Sequence, residues 1–148
     1  MKNVIVVTGG AGFVGSNLIG RILKDTSFKI ISIDDYSTGD INNHYKSNRV
    51  KYLKNNTKNI SKILKKKTKK INTLFHFGEF SRIYQSFRSF DDCFDSNSIG
   101  SKEVFKYCLD NKIKLIYSAT SANIGNKGED KNLSPYAFTK SKNLELLE

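Results

Sequence analysis

The amino-acid sequence predicts a doubly wound α/β fold built around a parallel sheet. Short apolar runs rich in β-branched residues alternate with longer segments in which apolar residues recur at helical spacing. Glycines stand between the first apolar run and the first helical segment, which indicates a tight turn from strand to helix. Strands that alternate with helices at this spacing imply right-handed crossovers, and such crossovers give a parallel sheet.

The alternation gives a definite expectation for each element. Strands are expected at residues 4–7, 28–33, 50–53, 71–77 and 114–118. Helices are expected after the glycine turn, over a lysine-rich segment, over residues 89–110, and from Pro135 onward, where Ser134 is the N-cap. The last helical pattern is still running at Glu148. We therefore expect residues 1–148 to form one domain that is cut short at its carboxyl end.

The glycines after the first strand have the spacing of a phosphate-binding turn. Gly9, Gly12 and Gly15 would turn the chain, let backbone N–H groups approach a pyrophosphate, and seat the helix against the strand. The anion then sits at the helix N-terminus, where unpaired N–H groups and the macrodipole attract it. Asp34 ends the second strand about 20 residues later, a position from which a carboxylate accepts from ribose hydroxyls.

A second interpretation of this pattern is a glycine-rich turn in another kind of α/β domain, with Asp34 as a cap or turn residue. A P-loop is excluded, because no Lys-Ser/Thr pair follows the glycines to hold a phosphate and Mg²⁺. The order of strand, turn, helix, strand and acid favours a dinucleotide site.

The net charge of +11 has a local origin. Between Lys46 and Lys70 the chain has eleven Lys or Arg and no acid, which equals the whole excess. The expected helix in this stretch has an apolar stripe of Ile60, Ile63, Leu64 and Ile71, so its lysines fall largely on a solvated face. No aromatic residues alternate with the lysines of that helix to stack bases, and we expect no nucleic-acid partner.

Cysteine usage and apolar run lengths restrict the class of protein. Cys93 and Cys108 are far apart and form no C-x-x-C pair, so neither a disulfide framework nor a zinc site is indicated, and no metal site is expected. No stretch reaches a membrane-spanning length, and the first apolar run is too short for a signal peptide. We expect a cytoplasmic protein with reduced, partly buried thiols.

Tyr136 and Lys140 are candidate catalytic residues. Four residues separate them, so both side chains project from one face of the last helix. A nearby ammonium group stabilises the phenolate by Coulomb attraction, which makes the tyrosine a usable general base. Thr120 follows the fifth strand, at the edge where open parallel sheets bind ligands, and could hold a substrate oxygen. Alone, the pair is also compatible with a packed tyrosine beside a solvated lysine; the dinucleotide pattern upstream favours catalysis.

Taken together, the motifs resemble the extended short-chain dehydrogenase/reductases, specifically the NAD-dependent nucleotide-sugar epimerase/dehydratase family. The matching segments are residues 8–15 (TGGAGFVG), 33–35 (IDD), 75–78 (FHFG), 97–101 (NSIGS), 117–120 (YSAT) and 134–140 (SPYAFTK). The resemblance implies a Rossmann-type sheet in the order 3-2-1-4-5 that lacks the family's last strands and its carboxyl-terminal substrate domain.

The resemblance also implies roles for individual residues around bound NAD. Tyr136 would take the proton of a sugar hydroxyl during hydride transfer, with Lys140 on the nicotinamide ribose and Thr120 orienting the hydroxyl. The expected cofactor-binding residues are Gly9, Gly12, Phe13, Val14, Gly15, Asp34, Asp35, Asn56, Phe77, Gly78, Tyr136 and Lys140. Because no Arg adjoins Asp34, NAD is favoured over NADP. A nucleotide sugar is the implied substrate, and a homodimer through the crossover helix and the Tyr136 helix is implied as well.

Departures from the family pattern narrow the range of activities that the resemblance implies. Asn56 stands where the family has an aspartate that contacts adenine, and Glu79 places a carboxylate where the family has small residues; the sequence suggests no role for Glu79. The dehydratases of the family place Asp-Glu after the hydroxyl residue, whereas Ser121 and Ala122 supply neither acid nor base. A 4-epimerase, an isomerase, is therefore expected first.

Two further classes of function stay open at this point. One is another enzyme on the same scaffold, namely a sugar-nucleotide reductase, a decarboxylase or, less favoured, a dehydratase. The other is a non-catalytic nucleotide-binding or scaffold module whose lysine face contacts an acidic partner.

Overall fold

The computed structural model describes residues 2–148, apart from the side chains of Asn123 and Asn126. The strands within residues 2–148 are β1 Val4–Thr8, β2 Lys29–Asp34, β3 Val50–Lys54, β4 Ile71–His76 and β5 Lys114–Tyr117. They form one all-parallel sheet in the order β3-β2-β1-β4-β5. The Rossmann-type α/β fold and its strand order are confirmed.

Helices cover both faces of the sheet. Over the same residues, the α-helices are α1 Phe13–Asp25, α2 Ile60–Leu64, α3 Ile83–Arg88, α4 Phe90–Phe94, α5 Ser101–Asp110 and α6 Pro135–Leu147. A π-helical turn, Asp95–Gly100, joins α4 to α5. Shorter 3₁₀ turns lie at Ile41–Asn43, Thr57–Asn59, Thr68–Lys70, Ser121–Asn123 and Gly125–Asn132.

Strand β1 is the centre of the core because all five of its residues are buried. Successive side chains of a strand point to opposite faces of the sheet, so β1 contributes to two apolar clusters. Val4 and Val6 pack in the cluster that includes α2 and α5, and Ile5 and Val7 pack in the cluster that includes α1. A strand buried on both faces explains why its sequence is a continuous β-branched run.

The structure corrects the predicted lysine-rich helix. Helix α2 ends at Leu64. Ile71, which the sequence placed both on the apolar stripe of this helix and at the start of the fourth strand, begins β4, so the strand prediction is confirmed. Ile71 pairs with Val4 of the central strand and is fully buried there. Pairing with β1 therefore outweighs the local helical period. Ile60 and Leu64 do enter the core, and the lysines after Leu64 are exposed, as the solvated face requires.

The predicted crossover helix over residues 89–110 is present as α4 and α5, and the structure differs from the prediction in two ways. The π-helical turn interrupts it, and the separate helix α3 precedes it, which the sequence did not indicate. Ser89 is the residue between α3 and α4.

The structure also describes the two cysteines and the length and polarity of the helices. Cys93 and Cys108 are both buried free thiols. Burial raises the pKa of the Cys108 thiol to about 12, which keeps it protonated. Among residues 2–148, each helix is too short or too polar to traverse a lipid bilayer.

Candidate cofactor and active site

In the turn between β1 and α1, neither Gly9 nor Gly15 has room for a side chain. Gly9 has φ of +71°, and a Cβ there would lie 2.7 Å from the backbone of Phe77 and Gly78. A Cβ at Gly15 would lie 2.1 Å from the carbonyl oxygen of Gly9. These two glycines are therefore required by the fold itself, because the turn packs against the end of β4 and against its own helix.

Gly12 differs from both. Its φ is −80°, which any residue adopts, and a Cβ there would make an ordinary contact, 3.4 Å from the carbonyl oxygen of Gly9. Packing within the chain therefore does not require glycine at this position. What the missing Cβ leaves is open space in front of the N-terminus of α1, where a ligand can approach the backbone closely.

The first turn of α1 is also open to an anion. Gly12 is the N-cap and has no side chain to accept from the first N–H groups, and the first turn carries no acid. Phe13 and Val14 are 82% and 57% exposed, so their backbone N–H groups lie at the surface rather than in the core. Unpaired N–H groups at a helix start bind phosphate.

The carboxylate of Asp34 lies against the glycine turn. It accepts from the backbone N–H of Ala11 at 2.8 Å and from that of Tyr36 at 2.9 Å. A carboxylate offers about four acceptor positions, so two remain for other donors. Asp35 lies beside it, accepting from the Ser37 N–H and, at 3.4 Å, from the side chain of Asn56. The predicted ribose and adenine residues thus share one edge of the sheet.

The end of β4 is tied to the end of β1. The hydroxyl of Thr8 accepts from the backbone N–H groups of Phe77, at 3.2 Å, and Gly78, at 3.0 Å. A Cβ on Gly78 would lie 2.9 Å from the backbone nitrogen of Gly9. Phe77 and Gly78 therefore line the site next to the glycine turn, and their N–H groups are already bonded within the fold.

These contacts fix the proton positions on His76. Because the Thr8 oxygen accepts two N–H groups, its own proton points to Nδ1 of His76, 2.7 Å away. Nδ1 is then an acceptor, so Nε2 carries the ring proton and donates to the Ser101 hydroxyl at 2.9 Å. Ser101 in turn donates to Glu79 at 2.6 Å. His76 is thus a neutral core residue rather than a ligand.

Lys140 reaches the same region from α6. Its ammonium group donates to the carboxylate of Glu79 and to the carbonyl oxygen of Ser118, just beyond β5. Its side chain is only 4% exposed. Burial lowers the pKa of Lys140, and the charge of Glu79 opposes that change. The sequence did not predict this carboxylate partner.

Tyr136 and Thr120 lie at the same end of the sheet. Ser134 is the N-cap of helix α6, and its hydroxyl accepts from the Ala137 N–H at 3.0 Å. Tyr136 is partly exposed, and its charge contributes, after burial and Glu79, to raising the pKa of Tyr117 at the end of β5. Thr120 accepts from the Ala122 N–H at 3.3 Å and so caps the 3₁₀ turn that follows it.

Sequence reasoning missed the polar residues that support this region. Asn97, in the π-helical turn, accepts from the backbone N–H of Phe80 at 2.7 Å and donates to its carbonyl at 3.0 Å, which fixes the loop after β4. Ser101, Tyr117 and Asn143 all contact Glu79. The available signals were a charged residue directly after a buried strand and the matching segments 97–101 and 117–120; neither indicated that these distant segments would meet Glu79.

A metal ion has no evident site among the described residues, since they contain no cluster of three or more His, Cys, Asp or Glu side chains suited to hold one. The donors that line the sheet edge are backbone N–H groups and single carboxylates. These suit a phosphate and ribose hydroxyls.

The buried imidazole gives a prediction for acid stability. Burial lowers the pKa of His76 to about 4; Glu79 opposes that change and Lys140 adds to it. An unfolded histidine protonates near about 6.5, so below that pH the unfolded chain binds a proton that the folded chain does not. The free energy of unfolding should fall by up to about 3 kcal/mol as the pH drops from about 6.5 to about 4, then level off.

Urea denaturation at several pH values in this window measures that loss. His76→Gln keeps a donor and an acceptor but does not titrate, so its stability should decline less steeply than that of the wild type. An equal slope in both proteins would contradict the assignment of the loss to His76.

The model of the NAD dependent epimerase/dehydratase family matches residues 5–148. A curated relative, the ADP-L-glycero-D-manno-heptose-6-epimerase of Brachyspira hyodysenteriae, is 28% identical over 93% of the chain and 46% of its own length.

Solved structures agree in fold. The UDP-N-acetylglucosamine 4-epimerase of Methanobrevibacter ruminantium, in complex with UDP-N-acetylmuramic acid, has a TM-score of 0.82 and 27% identity, covering 99% of this chain and 50% of that one. The UDP-glucose 4-epimerase of Thermus thermophilus, in complex with NAD, has a TM-score of 0.82 and 21% identity. The match covers 97% of this chain and 49% of that one.

The chain spans about half the length of the relatives that it matches. The family match nevertheless extends over nearly all of its residues and includes the glycine turn, Asp34, Tyr136 and Lys140. On this evidence, the chain belongs to the NAD-dependent epimerase/dehydratase family.

Proposed function

We propose that this chain is the NAD-binding part of a nucleotide-sugar 4-epimerase. The observation that carries the proposal is the open space at Gly12, in front of a helix start whose N–H groups lack a cap and beside the carboxylate of Asp34. A fold that needs glycine at Gly9 and Gly15 for its own packing, but at Gly12 only for a ligand, fits a bound pyrophosphate.

The expected contacts follow the edge of the sheet. The glycine turn, with Gly9, Gly12, Gly15, Phe13 and Val14, would bind the pyrophosphate. Asp34 and Asp35 would bind the adenosine ribose and Asn56 the adenine, while Phe77 and Gly78 would line the path to the nicotinamide. Tyr136 and Lys140 would bind its ribose. A carboxylate at Asp34, followed by Asp35 rather than by an arginine, favours NAD over NADP.

The chemistry would divide between the cofactor and three side chains. NAD, when bound, supplies a group that accepts hydride from the sugar and returns it. Tyr136 would take the proton from the sugar hydroxyl, and Thr120 would hold that hydroxyl in place. Lys140, one helical turn after Tyr136, would bind the ribose and stabilise the phenolate.

Epimerisation is favoured over dehydration by the residues after Thr120. Ser121 and Ala122 form the start of a 3₁₀ turn and provide no carboxylate that could eliminate water. Substrate recognition would require further residues, because the relatives are about twice as long. We propose that residues corresponding to the carboxyl-terminal half of these relatives would make the sugar-nucleotide contacts. Product analysis would separate an epimerase from a reductase or a decarboxylase.

Gly12→Ala tests the cofactor site without disturbing the fold. The variant should keep most of its stability, because the backbone at Gly12 is extended and the new Cβ makes an ordinary contact; the poorer N-cap propensity of alanine should cost about 1 kcal/mol. NAD affinity, measured by isothermal titration calorimetry, should fall by at least about tenfold. Gly15→Ala is the contrasting control, since its Cβ would strike the Gly9 carbonyl and destabilise the chain itself. Failure of the wild type to bind NAD, or equal binding by Gly12→Ala, would refute the proposal.

Tyr136→Phe tests the catalytic assignment. In a form of the protein that turns over a UDP-sugar, we expect loss of about 100-fold or more in kcat, because general-base catalysis contributes that much. NAD binding should weaken only slightly, since Lys140 and the glycine turn still hold the cofactor when the Tyr136 hydroxyl is lost. Chromatography of the sugar products measures the first effect and calorimetry the second. Retained epimerisation would eliminate Tyr136 as the base.

We also propose a homodimer through the crossover helix and α6. Phe90 and Phe94 stack at 4.7 Å, and Phe94 contacts Phe138 at 6.1 Å, forming an aromatic face on α4 and α6. Phe90 is 52% and Phe138 40% exposed, so this face presents contiguous apolar surface of the kind that marks a protein interface. Sedimentation velocity should show a dimer for the wild type and a monomer for Phe90→Lys. Ile41→Lys, at an exposed position on the 3₁₀ turn Ile41–Asn43 and on neither interface helix, is the control and should leave the dimer intact.

A further inference from the structure

Glu79 and Lys140 form an ion pair inside the fold. Both side chains are only 4% exposed. Removing two charges from water is costly, so such a pair persists only where other hydrogen bonds complete its surroundings. The two residues come from different elements, the loop after β4 and helix α6, and their meeting depends on the folded chain.

The carboxylate of Glu79 is held by further donors on α5, β5 and α6. Oε1 accepts from Ser101 of α5 at 2.6 Å, from the Tyr117 hydroxyl of β5 at 3.1 Å, and from the Asn143 amide of α6 at 3.1 Å. Oε2 accepts from Lys140. Burial and the charge of Glu79 raise the pKa of Tyr117, so that its phenol stays protonated and remains a donor.

One of these donors is oriented from the glycine turn. The proton order already derived runs from Thr8 through His76 to Ser101, and it obliges the Ser101 hydroxyl to donate to Glu79. A chain of hydrogen bonds thus connects the residue before Gly9 to the carboxylate. Glu79 is therefore fixed in direction as well as in position.

The ammonium group of Lys140 is fixed in turn. It donates to Glu79 and to the Ser118 carbonyl, and it lies 4.2 Å from the centre of the Tyr117 ring, within cation–π range. The charged and titratable groups around it are Glu79 on the loop after β4, His76 on β4, Tyr117 on β5 and, one turn away on its own helix, Tyr136. Among these, Glu79 is the carboxylate that compensates the buried charge.

We propose that Glu79 is a positioning residue for Lys140, whose ammonium group it holds at the carboxyl ends of β4 and β5 and keeps protonated. The catalytic consequence rests on the proposed function, in which Lys140 binds the nicotinamide ribose. The charge and position of Lys140 do not rest on it, because both can be measured on the chain without cofactor.

Glu79→Gln removes the charge of the partner and keeps its shape. Without the carboxylate, burial alone acts on Lys140, and its measured pKa should fall by about two or more. Nuclear magnetic resonance of isotope-labelled lysine side chains follows the titration, and Lys140→Arg identifies the signal. Glu145→Gln is the matched control, because Glu145 pairs with Lys142 on the exposed side of the same helix and its loss should leave the Lys140 titration unchanged.

A double variant separates charge compensation from simple packing. Glu79→Gln alone should lower the folding equilibrium constant by about a hundredfold or more, because it leaves a buried ammonium group uncompensated. In a Lys140→Met background the same change should cost far less. The defect of the single variant should also shrink as the pH approaches about 10, where the unfolded lysine loses its proton as well.

The outcomes are distinct. A Lys140 titration unaltered by Glu79→Gln overturns the proposal, as does a double variant no more stable than the single one, including the case in which both fail to fold. Weaker NAD binding by Glu79→Gln than by Glu145→Gln supports the catalytic consequence. If the wild type binds no NAD, the proposed function fails, while the titration and stability results still decide the role of Glu79.

Discussion

The close approach of two backbone segments, at Gly9 and Gly78, is the constraint on which the site depends. The turn after β1 and the end of β4 are near enough that a Cβ on either glycine would collide with the other segment. The Thr8 hydroxyl reinforces the approach by accepting from Phe77 and Gly78. With these backbones in contact, α1 starts where β1, β2 and β4 end, and the ends of β4 and β5 lie beside that start.

Much of this arrangement follows from local sequence. The run from Val4 to Val7 had to be a doubly buried strand, and the glycine spacing required a tight turn into a helix. Asp34 ends β2 as predicted, and it lies against that turn. Such features are readable because each depends on neighbours within about 25 residues, a range over which spacing and propensity decide the outcome.

Other features depend on contacts between distant residues, which no local pattern encodes. Ile71 fits both a helical stripe and the start of the predicted fourth strand, and its pairing with Val4 decides between the two. Glu79 had no evident role, because its partners Ser101, Tyr117 and Asn143 come from three elements that only the fold brings together. The family resemblance named Lys140 as a site residue but gave no hint that a buried carboxylate would share its charge.

The π-helical turn between α4 and α5 has a consequence for the helix that follows it. A wider turn carries one residue more than an α-helical turn over the same length, and each residue of an α-helix advances the side-chain direction by about 100°. Ser101 is the first residue of α5 and meets both His76 and Glu79. The wide turn thus absorbs the extra residue, so a one-residue deletion within Asp95–Gly100 would convert it to an α-helical turn and leave Ser101 facing both partners. Asn97, inside the turn, would instead lose the position from which it bonds the backbone of Phe80.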